Sequence, residues 1–521
     1  MKKIDINQAY ELYQIITDFH DSLEIFREAI QNAFDEDATE IWCTVSEQKK
    51  INSSDIIIDI INNGYGLPSS KVNHFFDLAN STKIDSNMMP LPGKIGYKGH
   101  GSKIFFNSKR VEVISKTNDE VWFSSVENPI DQLSCYNSIE YSIPAIPQST
   151  HITLPDEWCQ GFGVRIIAHN HFNSQYTKHK LNHENLRDYI KWYTVMGSVL
   201  QPLPNKKIPT LYLHGIDTNT FKNKYENKNN LIDPIPEFMS HNSKDYEKIN
   251  FGHYFPSERY SEKDMSDYAK SIQSSKAYYD YYSRKLIDDD IICTNGMKFR
   301  LILNLEGYET KRRYDTLLLG RGKTRTDISH TDSDRYGLWA CKGGVPVEKI
   351  DSWIEGGKGS YTFIHGFLDC DDFTLTANRG SINNTPTEKT DIIKNKLKEL
   401  FATKKFNDSI NERTEIERFE NQLQSIKEDG DNLKKRSTLA KQKKRIILPN
   451  GDVFFEPGKR STGYSESETM VLLLQLVAKY PDLLSFKLLD YDTIKGIDFV
   501  VEHQSGPKYI ELKGTLPYVL I

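Results

Sequence analysis

The sequence predicts an α/β (α+β) protein of several domains, and three observations indicate this class. The chain has 521 residues, enough for about three or four domains with hydrophobic cores of their own. Residues 22–40 carry apolar side chains at three- and four-residue steps, which is typical of an amphipathic helix. Residues 40–45 and 55–61 are short apolar runs typical of strands, and the second is apolar enough for the centre of a sheet.

Composition narrows the classes of protein to which the chain can belong. The formal net charge is −5 and the pI is about 6.3, so a contact with nucleic acid requires a local basic patch. The six cysteines form no CxxC pair, which argues against a zinc ribbon or a disulfide framework. The sequence contains neither the apolar core of a signal peptide nor a run of about eighteen apolar residues. We therefore expect a soluble cytoplasmic protein without a membrane partner.

The helix at residues 22–40 has two distinct faces. Its apolar face consists of Leu23, Phe26, Ile30 and Ala33. The other face carries Glu28, Asn32 and Asp35 at positions i, i+4 and i+7, so these side chains form a column along the helix. A carboxylate can orient water and an amide oxygen can bind a hard cation, which suits a magnesium–nucleotide site. A solvated polar face is the alternative.

Two glycine-rich segments follow in order. The strand at 55–61 leads into a turn with Asn62, Gly64 and Gly66, where positive φ angles would let the backbone approach a flat ligand. A helix is predicted from 69 to about 80, followed by a Ser-Thr-Lys segment that ends at Lys83. Residues 93–103 then form a glycine-rich loop that opens a helix, and such a loop can bind phosphates through its backbone N–H groups. The loop contains Gly96, Gly99, Gly101, Ser102 and Lys103.

The order of these motifs, completed by a strand that begins at Thr150, resembles the GHKL ATPase family of gyrase B, MutL, histidine kinases, heat-shock chaperones and MORC proteins. The resemblance implies a Bergerat-type ATPase sandwich at residues 1–175 that binds ATP and Mg²⁺. It implies that Glu28 orients the attacking water, that Asn32 holds magnesium and that Asp35 supports the site. The remaining nucleotide-binding residues would be Asn62, Gly64, Gly66, Lys83, Gly96, Gly99, Gly101, Ser102, Lys103 and Thr150.

One position departs from the family pattern. The family usually has an aspartate that accepts from the adenine amino group where this chain has Asn62. An amide oxygen can accept the same hydrogen bond without the charge. Asp59 is the alternative acceptor, but it lies three residues earlier in a strand and should face the opposite side of the sheet.

Residues 176–400 are predicted to form a transducer-like α/β domain with a polar insertion at about 218–285. Arg379 lies in a segment that resembles the place where heat-shock chaperones of this family present an arginine to the γ-phosphate. There it would stabilise the charge that develops on the transferred phosphoryl group. The alternative is a surface arginine at a turn. Four histidines between His169 and His183 are predicted to be solvated, because no cysteine accompanies them.

The C-terminal part carries a second set of charged residues. Residues 401–445 are predicted to form a charged helical linker that ends with seven cations between Lys434 and Arg445. Residues 446–521 contain a predicted helix with Glu468, then Asp498, Glu511 and Lys513 on predicted paired strands. Two acids and a lysine suit magnesium-assisted phosphodiester cleavage.

This order of residues resembles the PD-(D/E)XK nucleases, in which the three acids bind metal. The nuclease fold normally continues beyond this motif, so we expect an incomplete module.

The leading hypothesis is an ATP-hydrolysing GHKL protein that forms a homodimer on ATP binding and controls a nuclease module acting on DNA or RNA. An antiviral or restriction role and a partner subunit would suit this combination. The alternative is an ATP-switched chaperone or scaffold with a non-catalytic C-terminal binding module.

Overall fold

A computed structural model describes most of the chain, in two compact units, Met1–Glu420 and Asn421–Ile521. The described residues are 7–19, 21–51, 54–77, 101–147, 152–156, 158–172, 178–226, 236–255, 283–293, 295–307, 336–354, 363–376, 379–460, 463–482, 484–491 and 499–512. No helix in these ranges is both long enough and apolar enough to cross a membrane.

The first unit is built on an eight-stranded sheet in the order β4-β3-β5-β2-β1-β6-β8-β7. Every neighbouring pair is antiparallel except β1 and β6. The strands are β1 (Glu40–Lys49), β2 (Ser54–Asn62), β3 (Ser108–Lys116), β4 (Val121–Glu127), β5 (Gly161–His169), β6 (Thr210–His214), β7 (Glu237–His241) and β8 (Lys244–Asn250). The sheet thus extends beyond residue 175, because β6 pairs with β1.

Helices pack on this sheet around one large apolar core. They are α1 (Gln8–Thr17), α2 (Glu24–Asp35), α3 (Asn73–Phe76), α4 (Pro129–Tyr136), α5 (His183–Tyr193) and α6 (Thr218–Glu226). The predicted apolar face of α2 is buried in this core, as are the alternate isoleucines Ile56, Ile58 and Ile60 of β2. The helix and both strands predicted from periodicity are therefore confirmed. Helix α6 and the β7–β8 hairpin lie within the predicted polar insertion, so part of that insertion is regular secondary structure.

A second sheet follows in the same unit, in the order β12-β11-β13-β10-β9. Its strands are β9 (Ser283–Ile292), β10 (Lys298–Glu306), β11 (Gly337–Lys342), β12 (Val345–Lys349) and β13 (Ile364–Asp369). Helix α7 (Thr387–Phe401) contributes Ile393 and Leu397 to the core of this sheet.

The second sheet is joined to α5 by aromatic residues. Trp192 of α5 packs against Trp339 and Phe367 of the second sheet, at centroid distances of 5.5 and 5.6 Å. Beside them, the Nε2 atoms of His253 and His365 lie 3.2 Å apart. The same His365 ring contacts Glu306 through Nδ1 at 3.1 Å. These contacts connect α5 to the second sheet.

The second unit begins within α8 (Lys404–Gln442) and contains the part of this helix from Asn421 onwards. Small antiparallel sheets follow. Two hairpins pair β14 (Arg445–Ile447) with β15 (Val453–Phe455) and β16 (Lys459–Arg460) with β17 (Gly463–Tyr464). Helix α9 (Glu466–Lys479) precedes a meander of β18 (Phe486–Tyr491), β19 (Phe499–His503) and β20 (Gly506–Ile510). The predicted C-terminal helix and paired strands are therefore present.

A buried polar network fixes α5 on the first sheet. Glu247 of β8 accepts from Arg187 at 2.5 Å and contacts the His183 ring at 2.9 Å. Burial opposes ionisation of Glu247, but Arg187 and His183 outweigh it and lower its pKa to about 2. His183 and His169 are both buried, so the prediction of solvated histidines was wrong for these two. Each is buried because it has a hydrogen-bonding partner in the interior.

We expect Glu247→Gln to lower the free energy of unfolding by about 3 kcal/mol or more, because it leaves the Arg187 charge buried without its carboxylate. Urea unfolding measures the change. The matched control is Glu237→Gln, at an exposed carboxylate that lies 3.4 Å from Lys248. Because the folded pKa of Glu247 is lowered, its contribution should be complete above about pH 4.5 and lost as the pH falls towards 2. Equal effects of both substitutions would contradict the network's role.

Candidate active site

The carboxylate of Glu28 lies at the centre of the candidate site. Its side chain is on α2 and is only 3% exposed. Atom Oε1 lies 3.5 Å from Nε of Arg27 and 3.4 Å from Nη1 of Arg379. Arg379 follows the second sheet, whereas Glu28 belongs to the helix layer of the first, so this ion pair joins the two parts of the unit. The structure therefore brings together two of the residues predicted for catalysis.

The other oxygen of Glu28 faces Gly101. A Cβ atom on Gly101 would lie 1.9 Å from Oε2 of Glu28, far inside van der Waals contact. Only glycine fits here without displacing the carboxylate. Gly101 opens a 3₁₀ helix, Gly101–Phe106, where the sequence predicted a helix after the glycine-rich loop. The end of that loop is thus directly beside Glu28.

The guanidinium of Arg27 lies close to the carboxylates of two glutamates, Glu24 and Glu28. Glu24 Oε1 lies 3.3 Å from Nη2 of Arg27. Burial raises the pKa of Glu24 to about 7, Arg27 opposes the shift, and the neighbouring Glu28 and Asp21 add to it. Glu24 is therefore largely protonated below neutral pH. Arg27 contacts both carboxylates, and below neutral pH Glu28 is the more highly charged of the two partners.

Asn32 and Asp35 continue the polar column of α2, but in different environments. Asn32 lies one turn beyond Glu28 and is partly exposed. Asp35 is fully buried, and Gln31 donates a hydrogen bond to it at 3.3 Å. Asn32 can therefore be approached by a ligand from outside. The buried carboxylate of Asp35 is placed to support the helix from within.

The turn after β2 packs on the C-terminal end of α2. Asn62 Oδ1 accepts a hydrogen bond from the Gly64 N–H at 2.9 Å. A Cβ on Gly64 would lie 2.8 Å from the Glu36 carbonyl, so the close approach requires glycine. Gly66 has φ of 73°, whereas Gly64 is outside the left-handed region, so the expectation of two positive φ angles was wrong for Gly64.

Asp59, the alternative acceptor for the adenine amino group, does not lie on the same side of the sheet as this turn. It forms a bidentate pair with Arg165 on the neighbouring strand, at 2.6 and 2.8 Å, and the two residues are directly opposite in the β2–β5 register. Both are buried. Because residues three apart on a strand face opposite sides of the sheet, Asp59 faces away from Asn62 as predicted.

Several residues that sequence reasoning missed hold the turn in place. Asn63 Oδ1 accepts from the backbone N–H groups of Thr39 and Glu40, each at 2.8 Å. Ser115 exchanges two hydrogen bonds with the Leu67 backbone, at 2.7 and 2.9 Å. These contacts span 23 to 48 positions of sequence, so no local pattern could have revealed them. The adjacent Asn-Asn pair at 62 and 63 was the one available signal.

Lys103 is buried rather than presented to solvent. Its Nζ donates to the Phe75 carbonyl at 2.6 Å and to Ser102 Oγ at 3.1 Å. Burial lowers the pKa of Lys103 to about 7, with Asp77 opposing the shift. Through these hydrogen bonds, Ser102 and Lys103 connect the end of the glycine-rich loop to α3.

Other predicted site residues lie outside the described ranges, namely Lys83, Gly96, Gly99, Thr150, Asp498 and Lys513.

The predicted metal ligands of the second unit are partly described. Glu468 on α9 accepts from Lys443 Nζ and from the Gly458 N–H, each at 2.6 Å. Glu511 is exposed and follows directly after β20. Within the described ranges, no three His, Cys, Asp or Glu side chains are grouped as metal ligands.

Part of the chain matches a known protein family. No curated protein matches the chain at a significant level. Residues 22–153 match the family model described as Histidine kinase-, DNA gyrase B-, and HSP90-like ATPase. This segment begins just before α2 and includes the turn after β2, the glycine-rich loop, β3, β4 and α4. The match supports a GHKL-type ATPase domain that binds ATP in this part of the chain.

Proposed function

We propose that the first unit hydrolyses ATP with Glu28 as the general base. The single observation that carries this proposal is the contact of Arg379 with Glu28 at 3.4 Å. It brings a buried carboxylate and a cation from separate parts of the fold together beside Gly101. General-base catalysis and stabilisation of phosphoryl charge require these two groups.

The donors beside Glu28 suit a magnesium–nucleotide complex. The amide oxygen of Asn32 is a hard ligand of the kind that Mg²⁺ binds, and the partly exposed side chain can be reached by a ligand. Bound there, magnesium would neutralise phosphate charge. Glu28 would accept a proton from the attacking water as the water oxygen bonds to the γ-phosphorus and the bond to ADP breaks.

Arg379 would couple hydrolysis to the arrangement of the two sheets. Both arginines contact the same oxygen of Glu28, while the second oxygen lies against Gly101. A γ-phosphate would compete with Glu28 for Arg379, because it offers more negative charge and more acceptor oxygens. When Arg379 moves to phosphate, Glu28 becomes available to water.

The C-terminal unit has a second candidate function, metal-dependent cleavage of nucleic acid. In the β19–β20 register Phe499 is opposite Ile510. In the sequence Asp498 immediately precedes Phe499, and Glu511 immediately follows Ile510. The order helix, Asp and Glu-x-Lys along α9 and this meander favours a PD-(D/E)XK-like module.

We further propose that ATP binding closes a homodimer of the first unit and so controls engagement of DNA or RNA by this module. A role in antiviral defence or restriction, with a partner subunit, would suit this control. In the alternative, ATP switches a chaperone or scaffold and the C-terminal unit only binds.

Replacing Glu28 by Gln should reduce ATP hydrolysis at least about 100-fold, because the amide cannot accept the proton of water. The affinity for ATP should be retained or increased, since the amide keeps the size of the side chain and no longer competes with the γ-phosphate for Arg379 as a charged group. Phosphate release and calorimetric titration measure the two quantities. Glu11→Gln, at an exposed position of α1, is the control and should leave hydrolysis unchanged. Wild-type hydrolysis in Glu28→Gln would refute Glu28 as the base.

Arg379→Ala should lower kcat about 100-fold, because a donor to developing phosphoryl charge is removed. The Kd for ATP should change much less, and Arg379→Lys should recover only part of kcat, since lysine lacks the planar fork of donors. Single-turnover hydrolysis tests this. The control is Arg300→Ala, which removes a surface arginine of the second sheet that pairs with Asp288 at 2.5 Å. A rise in kcat would mean that Arg379 only restrains Glu28, against the proposal.

For the C-terminal unit, Glu511→Gln should abolish Mg²⁺-dependent nicking of plasmid DNA, because a metal ligand loses its charge. Glu502→Gln, at an exposed carboxylate of β19, should have no effect. Gel assays with and without EDTA give the result. Absence of nicking by the wild-type chain would favour the binding-module alternative.

A further inference from the structure

The C-terminal unit carries a positively charged segment at the end of α8. Residues 432–451 contain seven lysines and arginines and no aspartate or glutamate, whereas the whole chain has a net charge of −5. Lys443 is occupied by Glu468 at 2.6 Å. The other six form no ion pair with a residue in the described ranges, and all six are exposed. They are Lys434, Lys435, Arg436, Lys441, Lys444 and Arg445.

The spacing of these cations follows the helix. Lys434 and Lys441 are seven residues apart, two turns along the same face, and so about 10 Å apart at 1.5 Å per residue. Arg445 comes four residues later, at the start of β14. The cations therefore continue from the helix onto the first strand of the hairpin. An extended polyanion that lies along this line would meet one cation after another.

The β14–β15 hairpin exposes apolar side chains beside this line. Alternate residues of a strand share one face. Ile447 and Val453 therefore lie on the same face of the hairpin as Arg445 and Phe455. Ile447 is 69% exposed and Val453 is 51% exposed. The opposite face buries Phe454. Arg445 is directly opposite Phe455 in the register, and its guanidinium lies 3.9 Å from the ring centroid. Phe455 is still 40% exposed.

The acids near this surface are fewer than its six exposed cations. Asp452 lies 2.5 Å from Lys479 Nζ. Glu456 accepts from the Tyr464 hydroxyl at 3.2 Å. The nearest acids on the N-terminal side, Asp429 and Asp431, precede the segment on α8. We name the surface formed by residues 434–445 and the exposed face of β14–β15 the basic hairpin surface.

We infer that the basic hairpin surface binds single-stranded nucleic acid. Clustered cations fit the phosphate backbone. An arginine–aromatic stack next to aliphatic side chains fits the faces of unpaired bases, which stack on aromatic rings and on guanidinium planes. In a duplex those faces are covered by neighbouring bases, so a duplex would contact this surface only through its phosphates and the cations. This inference rests on the proposed nucleic-acid role of the C-terminal unit, and names the form of the substrate and the surface that holds it.

The test is fluorescence anisotropy of the full chain with labelled oligonucleotides at several salt concentrations. The probes are a single-stranded DNA and a single-stranded RNA of the same 20-nucleotide sequence and the corresponding DNA duplex. EDTA is present and ATP is absent, so neither cleavage nor hydrolysis contributes to the signal. We expect at least one single strand to bind about tenfold more tightly than the duplex. Equal or tighter binding of the duplex, or no binding of any probe, would overturn the inference.

Two variants separate the phosphate and base contributions. The triple substitution Lys434→Ala, Lys435→Ala, Arg436→Ala should reduce the slope of log affinity against log salt by about 2, at about 0.7 per phosphate contact on a single strand. Phe455→Ala should weaken single-strand binding about tenfold and leave that slope unchanged. Phe455→Trp keeps an aromatic ring and should retain the affinity. A loss of affinity in Phe455→Ala alone would then report lost stacking and not misfolding. Unchanged single-strand affinity in Phe455→Ala would overturn the assignment.

Matched controls come from the same chain. Lys405→Ala removes an exposed lysine at the other end of α8, and Tyr509→Ala removes a 73% exposed aromatic of β20. Neither should change the affinity by more than about twofold. ATP hydrolysis by the same preparation keeps the proposals apart: hydrolysis without binding overturns only this inference, and binding without hydrolysis overturns only the ATPase.

Discussion

The ion pair between Glu28 and Arg379 is the interaction on which the proposed mechanism depends. A buried carboxylate is costly unless a cation accompanies it, and here two arginines share one oxygen of Glu28. Arg27 belongs to the same helix, so it is available in any arrangement of the fold. Arg379 reaches Glu28 only if the second sheet is correctly placed. The ion pairing of Glu28 is therefore linked to the packing of the whole first unit.

The elements that carry this pair are fixed by different forces. Helix α2 is held by the apolar core of the first sheet, to which Phe26, Ile30 and Ala33 contribute. The second sheet is positioned against α5 by aromatic packing around Trp192 and by the contact between His253 and His365. Burial and the neighbouring His365 lower the pKa of His253 well below its usual value, so this ring is neutral in the joint. A neutral ring avoids an additional buried charge where the two sheets meet.

In the described part of the C-terminal unit, charged side chains are more prominent than a large apolar core. Its α8 helix ends in a segment in which cations are not balanced by acids, and the following hairpin exposes Phe455 beside Arg445. Glu468, predicted as a metal ligand, holds Lys443 and the Gly458 backbone. These contacts suit a role in shaping the hairpins, and metal binding by Glu468 would require Lys443 to leave.

Sequence periodicity alone determined α2, β1, β2 and the C-terminal β19–β20 pair, because each has an apolar pattern that is complete within a few residues. The order of short motifs likewise singled out Glu28, and a local resemblance singled out Arg379, although 351 positions separate the two residues in the chain. Only the tertiary structure decided which polar residues are buried. Asp59 with Arg165, His183 with Glu247, and Lys103 with the Phe75 carbonyl are each buried because a partner distant in sequence compensates the cost of desolvation. That compensation depends on long-range packing, which no local pattern of residues records.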